Sequence, residues 1–224
     1  MRANRKIQSY ITKSYRRIRH RGGHGVHSPF AYSLITQVIN EDLPYYAYGD
    51  ILSASKANSL TRKVMPNFIN KRRASTKVLF LLYRLVNRFK SRFILEVGQG
   101  KCISMFAVGL VDSNIDIDHV KAIGDKSLVD AIKDSKRTDK YDFVLIHESA
   151  LDKVDLVAFW QILKSKLHSH SVVVVKGIHN YKSTRIFWAM LKTDADVRVC
   201  IDLYEVGLAI NHDKLNKQNY IVSF

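Results

Sequence analysis

Carboxylates are scarce in this chain: 20 Asp and Glu stand against 36 Lys and Arg, for a formal net charge of +16 at pH 7. A field of that sign favours polyanions, such as nucleic acid or anionic lipid headgroups, or acidic small molecules. Cysteine is rarer still. Cys102 and Cys200 sit in apolar contexts without a CxxC pair, which argues against a disulfide framework or a zinc ribbon. No apolar run approaches the roughly 20 residues that span a bilayer, and the N-terminus lacks the apolar core of a secretory signal. A cytoplasmic protein is expected.

What is present is an ordinary globular composition, 46% hydrophobic and 25% charged over 224 residues, enough for one α/β domain plus an extension. From Met1 to Arg21 there are eight Lys or Arg and no carboxylate. Ile7, Tyr10, Ile11, Tyr15 and Ile18 recur there at helical spacing, so one stripe is apolar and the rest basic. Such a helix suits RNA, an anionic membrane surface or the protein's own main domain. His20, His24 and His27 flank a Gly-rich loop that offers no fixed ligation geometry and no nearby Cys or carboxylate, so no metal is assigned. Ser28 and Pro29 read as the N-cap and first residue of a helix carrying Phe30, Leu34, Ile35, Val38 and Ile39 and stopping before Pro44. Tyr45, Tyr46 and Tyr48 form an aromatic cluster suited to base stacking or to packing, and residues 70–73 form a basic loop. Residues 1–75 are therefore expected to be a basic helical extension, and 76–224 the main domain.

That domain opens with a helix over 76–89, with Val78, Leu79, Leu82, Leu85 and Val86 on its buried side. It leads into Phe93-Ile94-Leu95-Glu96-Val97-Gly98-Gln99-Gly100, a β-forming run that ends in an acid and drops into glycines. Glycine lets backbone approach a ligand closely, and the following helix N-terminus offers N–H groups, as nucleotide-type sites require. Helix and strand then alternate. Helices are expected over 104–111, 128–134, 154–167 and 184–191, and strands over 119–123, 141–146, 171–175, 197–203, 206–211 and 220–224. Strands separated by helices imply an α/β fold with a mainly parallel sheet. The closely spaced last strands imply an antiparallel edge.

Three segments taken together point further: Gly23-His24-Gly25-Val26-His27-Ser28-Pro29-Phe30; Leu81–Val86 running into Ile94-Leu95-Glu96-Val97-Gly98; and Ile178-His179, Trp188 and Ile201-Asp202-Leu203-Tyr204-Glu205-Val206-Gly207. In these the chain resembles the class I S-adenosylmethionine-dependent methyltransferases, and it is most similar to an O-methyltransferase-like family common in Bacteroidetes. The resemblance implies a Rossmann-like sheet, S-adenosylmethionine as cofactor and a small-molecule methyl acceptor. It places cofactor contacts at Glu96, Gly98, Gly100, Asp125 and Glu148.

Departures accompany the matches. Gly98-Gln99-Gly100-Lys101-Cys102 stands where such enzymes have a Gly-Thr-Ser-x-Gly loop, and Lys101 brings a cation toward a cationic sulfonium. The segment from Lys121 to Asp125 looks like the third strand of the family rather than the second. The acid that binds the cofactor ribose is then missing, or is supplied by Asp116 or Asp118. Metal-assisted relatives have Asp-Gly and Asp-Asp where this chain has His147-Glu148 and Lys176-Gly177, so metal-dependent catalysis is not expected. What remains for catalysis is His179 as a general base, with His147 and Glu148 on the neighbouring strand end and Asp202 and Glu205 as polar neighbours. Two functions follow. One is a working methyltransferase, since methyl transfer needs little beyond alignment of the reacting atoms. The other is an inactive methyltransferase fold that binds a polyanion or a protein partner.

Overall fold

The computed structural model describes residues 26–64, 76–98, 103–121, 127–135 and 137–224. The expectations for residues 1–21 and 70–73, and for Gly100, Lys101, Cys102 and Asp125, lie outside the described residues. Seven strands form one sheet: β1 (Phe93–Val97), β2 (Asp116–Val120), β3 (Tyr141–Ile146), β4 (Leu167–Lys176), β5 (Val197–Asp202), β6 (Val206–Asn211) and β7 (Gln218–Ile221). Their order is β2-β1-β3-β4-β6-β5-β7. β6 runs antiparallel to both of its neighbours, and β7 joins β5 in parallel.

The central strands are apolar on both faces because helices cover both. Phe143, Leu145, Val172 and Val174 bury against Leu34, Ile35, Val38, Leu81, Leu82 and Leu85. Their alternates Val144, Ile146, Val173 and Val175 bury on the opposite face against Phe159, Trp160, Leu163 and Phe187. The helices are α1 (Pro29–Leu34), α2 (Tyr48–Val64), α3 (Thr76–Phe89), α4 (Ile103–Gly109), α5 (Leu128–Lys133), α6 (Leu156–Ser165) and α7 (Lys182–Thr193). Ser28 caps α1 by accepting the Ala31 N–H at 3.3 Å, and α1 passes into a π turn over Ile35–Ile39.

Arg84, buried on α3, closes the end of that turn. Its Nε donates to the Val38 carbonyl at 2.6 Å, Nη2 to Ile39 at 3.1 Å and Nη1 to the Tyr48 hydroxyl at 2.7 Å. Residues 29–39 thus share the sheet's core. The tyrosines pack as well: Tyr48 stacks on Phe80 with centroids 3.7 Å apart, and Tyr45 meets Tyr83 edge-on at 5.5 Å.

β4 opens at Leu167 rather than 171 and β7 spans Gln218–Ile221 rather than 220–224, but the larger departure is β2. β2 begins three residues early, at Asp116, and pairs directly with β1 from Phe93↔Asp116 to Val97↔Val120. It occupies the second-strand position, not the third. Asp116, Ile117, Asp118, His119 and Val120 are all exposed or half-buried, as befits a strand at the sheet edge. The apolar residues Val120, Ala122 and Ile123 lie at or beyond the end of β2, so the strand's apolar weight and its pairing do not coincide.

Candidate active site

From β1 the chain crosses to β2 on one flank and then returns to β3 on the other. Neighbouring connections that leave in opposite directions open a crevice beyond the carboxyl ends of the strands, here of β1 and β3. Gly98 forms its floor. It holds φ +99°, and a Cβ there would come within 2.7 Å of the Ala150 Cβ and 3.3 Å of the His147 Cβ, so only glycine passes. Its N–H bonds the Val120 carbonyl at 2.8 Å, and its carbonyl lies 2.7 Å from His119 Nε2.

Just before it, the Glu96 carboxylate is buried at 3% exposure. His147 Nε2 lies 2.6 Å from Glu96 Oε1, and His119 Nε2 is 3.8 Å from Oε2. Burial lowers the His147 pKa below its ordinary value. The Glu96 bond opposes that, and the nearby Lys176 ammonium reinforces it. The imidazole is therefore neutral near pH 7 and donates Nε2–H to the carboxylate, which can only accept.

The next strand ends supply the second half of the site. Gly177, at φ +68°, leaves β4 in a turn fixed by its N–H to the Glu205 carbonyl (2.7 Å) and by Thr184 Oγ1 donating to its own carbonyl (2.8 Å). A side chain there would strike the Glu148 carboxylate and Asn180 Nδ2. Asn180 donates to Glu148 Oε2 at 2.7 Å, which ties the β3 and β4 ends together. His179 turns the other way, to the end of β5. Its Nε2 is 2.8 Å from Asp202 Oδ2, and its ring stacks on Tyr204 at 5.3 Å. The Tyr204 N–H bonds Asp202 Oδ1 at 2.9 Å, so the carboxylate is oriented from both sides.

The sequence-derived residues thus fall into two groups. Glu96, Gly98 and His147 meet at the β1–β3 crevice. Glu148 joins Asn180 and Gly177, while His179 has its own acid in Asp202, so the two histidines face separate carboxylates. Asp116 and Asp118 do not line the crevice. Arg137 binds Asp116 at 2.5 Å and Asp118 at 2.6 Å, and the Tyr141 hydroxyl donates to Asp118 at 2.8 Å, which corrects the idea that either supplies the ribose acid. Burial raises the Asp118 pKa, but its bonds to Arg137 and Tyr141 outweigh that and hold it below the usual range. His119 and Asn180 escaped the sequence reading. His119 falls at the carboxyl end of β2 only once that strand is placed at Asp116–Val120, and Asn180 follows the end of β4.

No protein-family model matches the sequence, and no curated protein matches it either. Solved structures do match in three dimensions. The O-methyltransferase TomG from Streptomyces achromogenes, involved in tomaymycin synthesis and solved in complex with SAM, is 13% identical with a TM-score of 0.54, over 80% of this chain and 96% of that one. A methyltransferase from Geobacter sulfurreducens gives 13% and 0.54 over 81% and 96%. The O-methyltransferase from Bacillus cereus in complex with SAH gives 13% and 0.50 over 80% and 97%. The fold is that of the class I O-methyltransferases. Within this methyltransferase fold, the residues at the ends of β3 and β4 are His147-Glu148 and Lys176-Gly177. Lysine cannot ligate a hard cation while protonated, so at these two strand ends the side-chain oxygens come from Glu148 and Asn180.

Proposed function

We propose that the chain binds S-adenosylmethionine in the β1–β3 crevice and transfers its methyl group to an oxygen of a small-molecule acceptor. In this reading it is a divergent member of the O-methyltransferase-like family that its motifs resemble. The observation that carries this is Gly98: a backbone held at φ +99° at the switch point of the sheet, with space for no side chain. Glu96, Gly98 and Glu148 fit a cationic sulfonium ligand by charge and by bare backbone. Gly100 and Asp125 complete the proposed cofactor set by their place in the sequence.

When bound, the cofactor supplies an electrophilic methyl carbon. The chain's own part is to align the acceptor and take its proton. His179 is the proposed base. With Nε2–H donated to Asp202, its basic lone pair is on Nδ1, and the carboxylate stabilises the imidazolium that forms. His147, the second candidate, is held through Nε2 on Glu96. Its proposed part is to keep that buried carboxylate in place beside the crevice.

A second reading is an inactive methyltransferase fold that binds a polyanion or a protein. The net charge of +16, and Lys176 close enough to lower the His147 pKa, favour it. Calorimetric titration with S-adenosylhomocysteine separates the two. Binding in the micromolar range, lost in Gly98→Asp and weakened in Glu148→Lys, is the expected result, with circular dichroism checking that each variant is folded. No heat and no thermal shift at millimolar ligand would overturn the enzyme reading.

A further inference from the structure

We propose a metal site for a divalent transition ion of the zinc class where β4 begins and β6 ends, at the end of these strands opposite the crevice, formed by His170, His212 and Asp213. The antiparallel pairing of β4 with β6 runs through Val172↔Ile210, which brings the start of β4 alongside the residues just after β6. One donor atom from each of the three side chains lies within 4.8 Å of the others. Asp213 Oδ1 is 3.9 Å from His170 Nε2 and 3.9 Å from His212 Nδ1. Those separations are too long for hydrogen bonds. They are only slightly wider than the roughly 3.3 Å between ligand atoms that bonds of about 2.0–2.1 Å to a tetrahedral ion set. Small side-chain rotations close the difference, and His170 and Asp213 are exposed enough to make them.

A second observation points to the same ligand. His212 Nδ1 is buried from solvent, with no hydrogen-bond partner among the described residues. Buried polar atoms without partners are rare and call for an explanation, and a metal bond supplies one. The remaining nitrogens are already disposed for it. His170 Nδ1 lies 2.9 Å from Ser169 Oγ, which engages that nitrogen and leaves Nε2 toward the cluster. His168 is not a ligand. Its Nδ1 accepts the His170 backbone N–H at 3.0 Å, and its Nε2 bonds Asp142 at 2.8 Å, so it positions the first residues of β4, which carry His170. Asp142 in turn accepts the backbone N–H groups of Arg92 and Phe93 at 2.7 and 2.8 Å, which anchors the start of β4 to the start of β1.

Two imidazoles and one carboxylate select zinc, cobalt or nickel over magnesium or calcium, which take oxygen ligands. Three protein donors leave a fourth position for water. The ion would clip the first residues of β4 to the connection between β6 and β7, and it stabilises the fold to the extent that it binds the native state alone.

The test is titration of the full chain with zinc sulfate by calorimetry, with magnesium chloride as the control and cobalt(II) absorption as a geometric probe. Expected are one equivalent of zinc, a rise in thermal midpoint with zinc but not magnesium, and the visible bands of a four-coordinate cobalt site. His170→Gln, His212→Ala and the exposed Asp213→Ala should each weaken zinc at least about tenfold, and Ser169→Ala should weaken it by a smaller factor. Absence of stoichiometric zinc binding would overturn the proposal. So would binding unchanged in all three ligand variants, which would assign the ion to other histidines, such as His20 and His24.

Discussion

A buried carboxylate held by a neutral imidazole makes Glu96 sensitive to what happens at His147. His147→Ala leaves the carboxylate without its 2.6 Å donor, and stranding a buried ionised group costs about 3 kcal/mol. His147→Gln keeps an N–H donor and should cost less, with urea unfolding as the measurement. The pH dependence follows from the direction of the shift. The folded-state pKa of His147 lies below its ordinary value of 6.5, with burial as the main cause, so the unfolded chain binds the proton more tightly. Stability from this group is fully present above that ordinary value and is lost as pH falls toward the folded pKa. Wild type should therefore lose stability between about pH 7 and pH 5 by more than His147→Gln does. Equal slopes for the two proteins would show that His147 is not the group responsible.

Among the elements, the helical segment at 29–39 depends on one side chain of another helix. A π turn ends with carbonyls that have no partner in their own helix, and Arg84 binds two of them, those of Val38 and Ile39. Arg84→Met retains the aliphatic packing and removes the donors. The expected cost is about 2–4 kcal/mol, with amide exchange over 29–39 accelerated more than in β3 and β4. A loss below about 0.5 kcal/mol with unchanged exchange would mean that packing alone holds the segment. The sequence hinted at this contact only by setting Arg84 inside the apolar run Leu79–Val86. Two strands were legible to the residue, β3 and β6 at the expected 141–146 and 206–211, whereas β4 begins four residues before the expected 171 because the polar His168, Ser169 and His170 belong to it. β2 was not legible, because its edge position admits three polar residues among five and leaves none of them buried, and α2 was not, because no apolar period marks 48–64. At the site, Gly98 and Glu96 stood out from local pattern. The Glu96–His147 bond joins residues 51 positions apart, and the Asp202 partner of His179 is contributed by a different strand. Such pairs are set by sheet order, which no local window contains.

Over the whole molecule, the excess of base is a property separate from the crevice, and the two can be tested apart. The 36 cationic side chains include eight among the first 21 residues, a stretch with no acid, so deleting it halves the net charge of +16. If the long-range field governs contact with polyanions, binding follows counterion release, with the logarithm of affinity falling linearly with the logarithm of salt. The truncated chain should then leave heparin at lower salt and show a shallower slope, because fewer anionic groups are neutralised. Gly98→Asp adds one negative charge at the crevice and should barely move the elution, even where it abolishes binding of S-adenosylhomocysteine. The converse pattern, with elution unmoved by the deletion and displaced by Gly98→Asp, would place the polyanion in the crevice itself. The basic field would then serve to draw an acidic acceptor into the site, since such fields steer charged ligands and raise their local concentration, most strongly at low ionic strength where the Debye length is long.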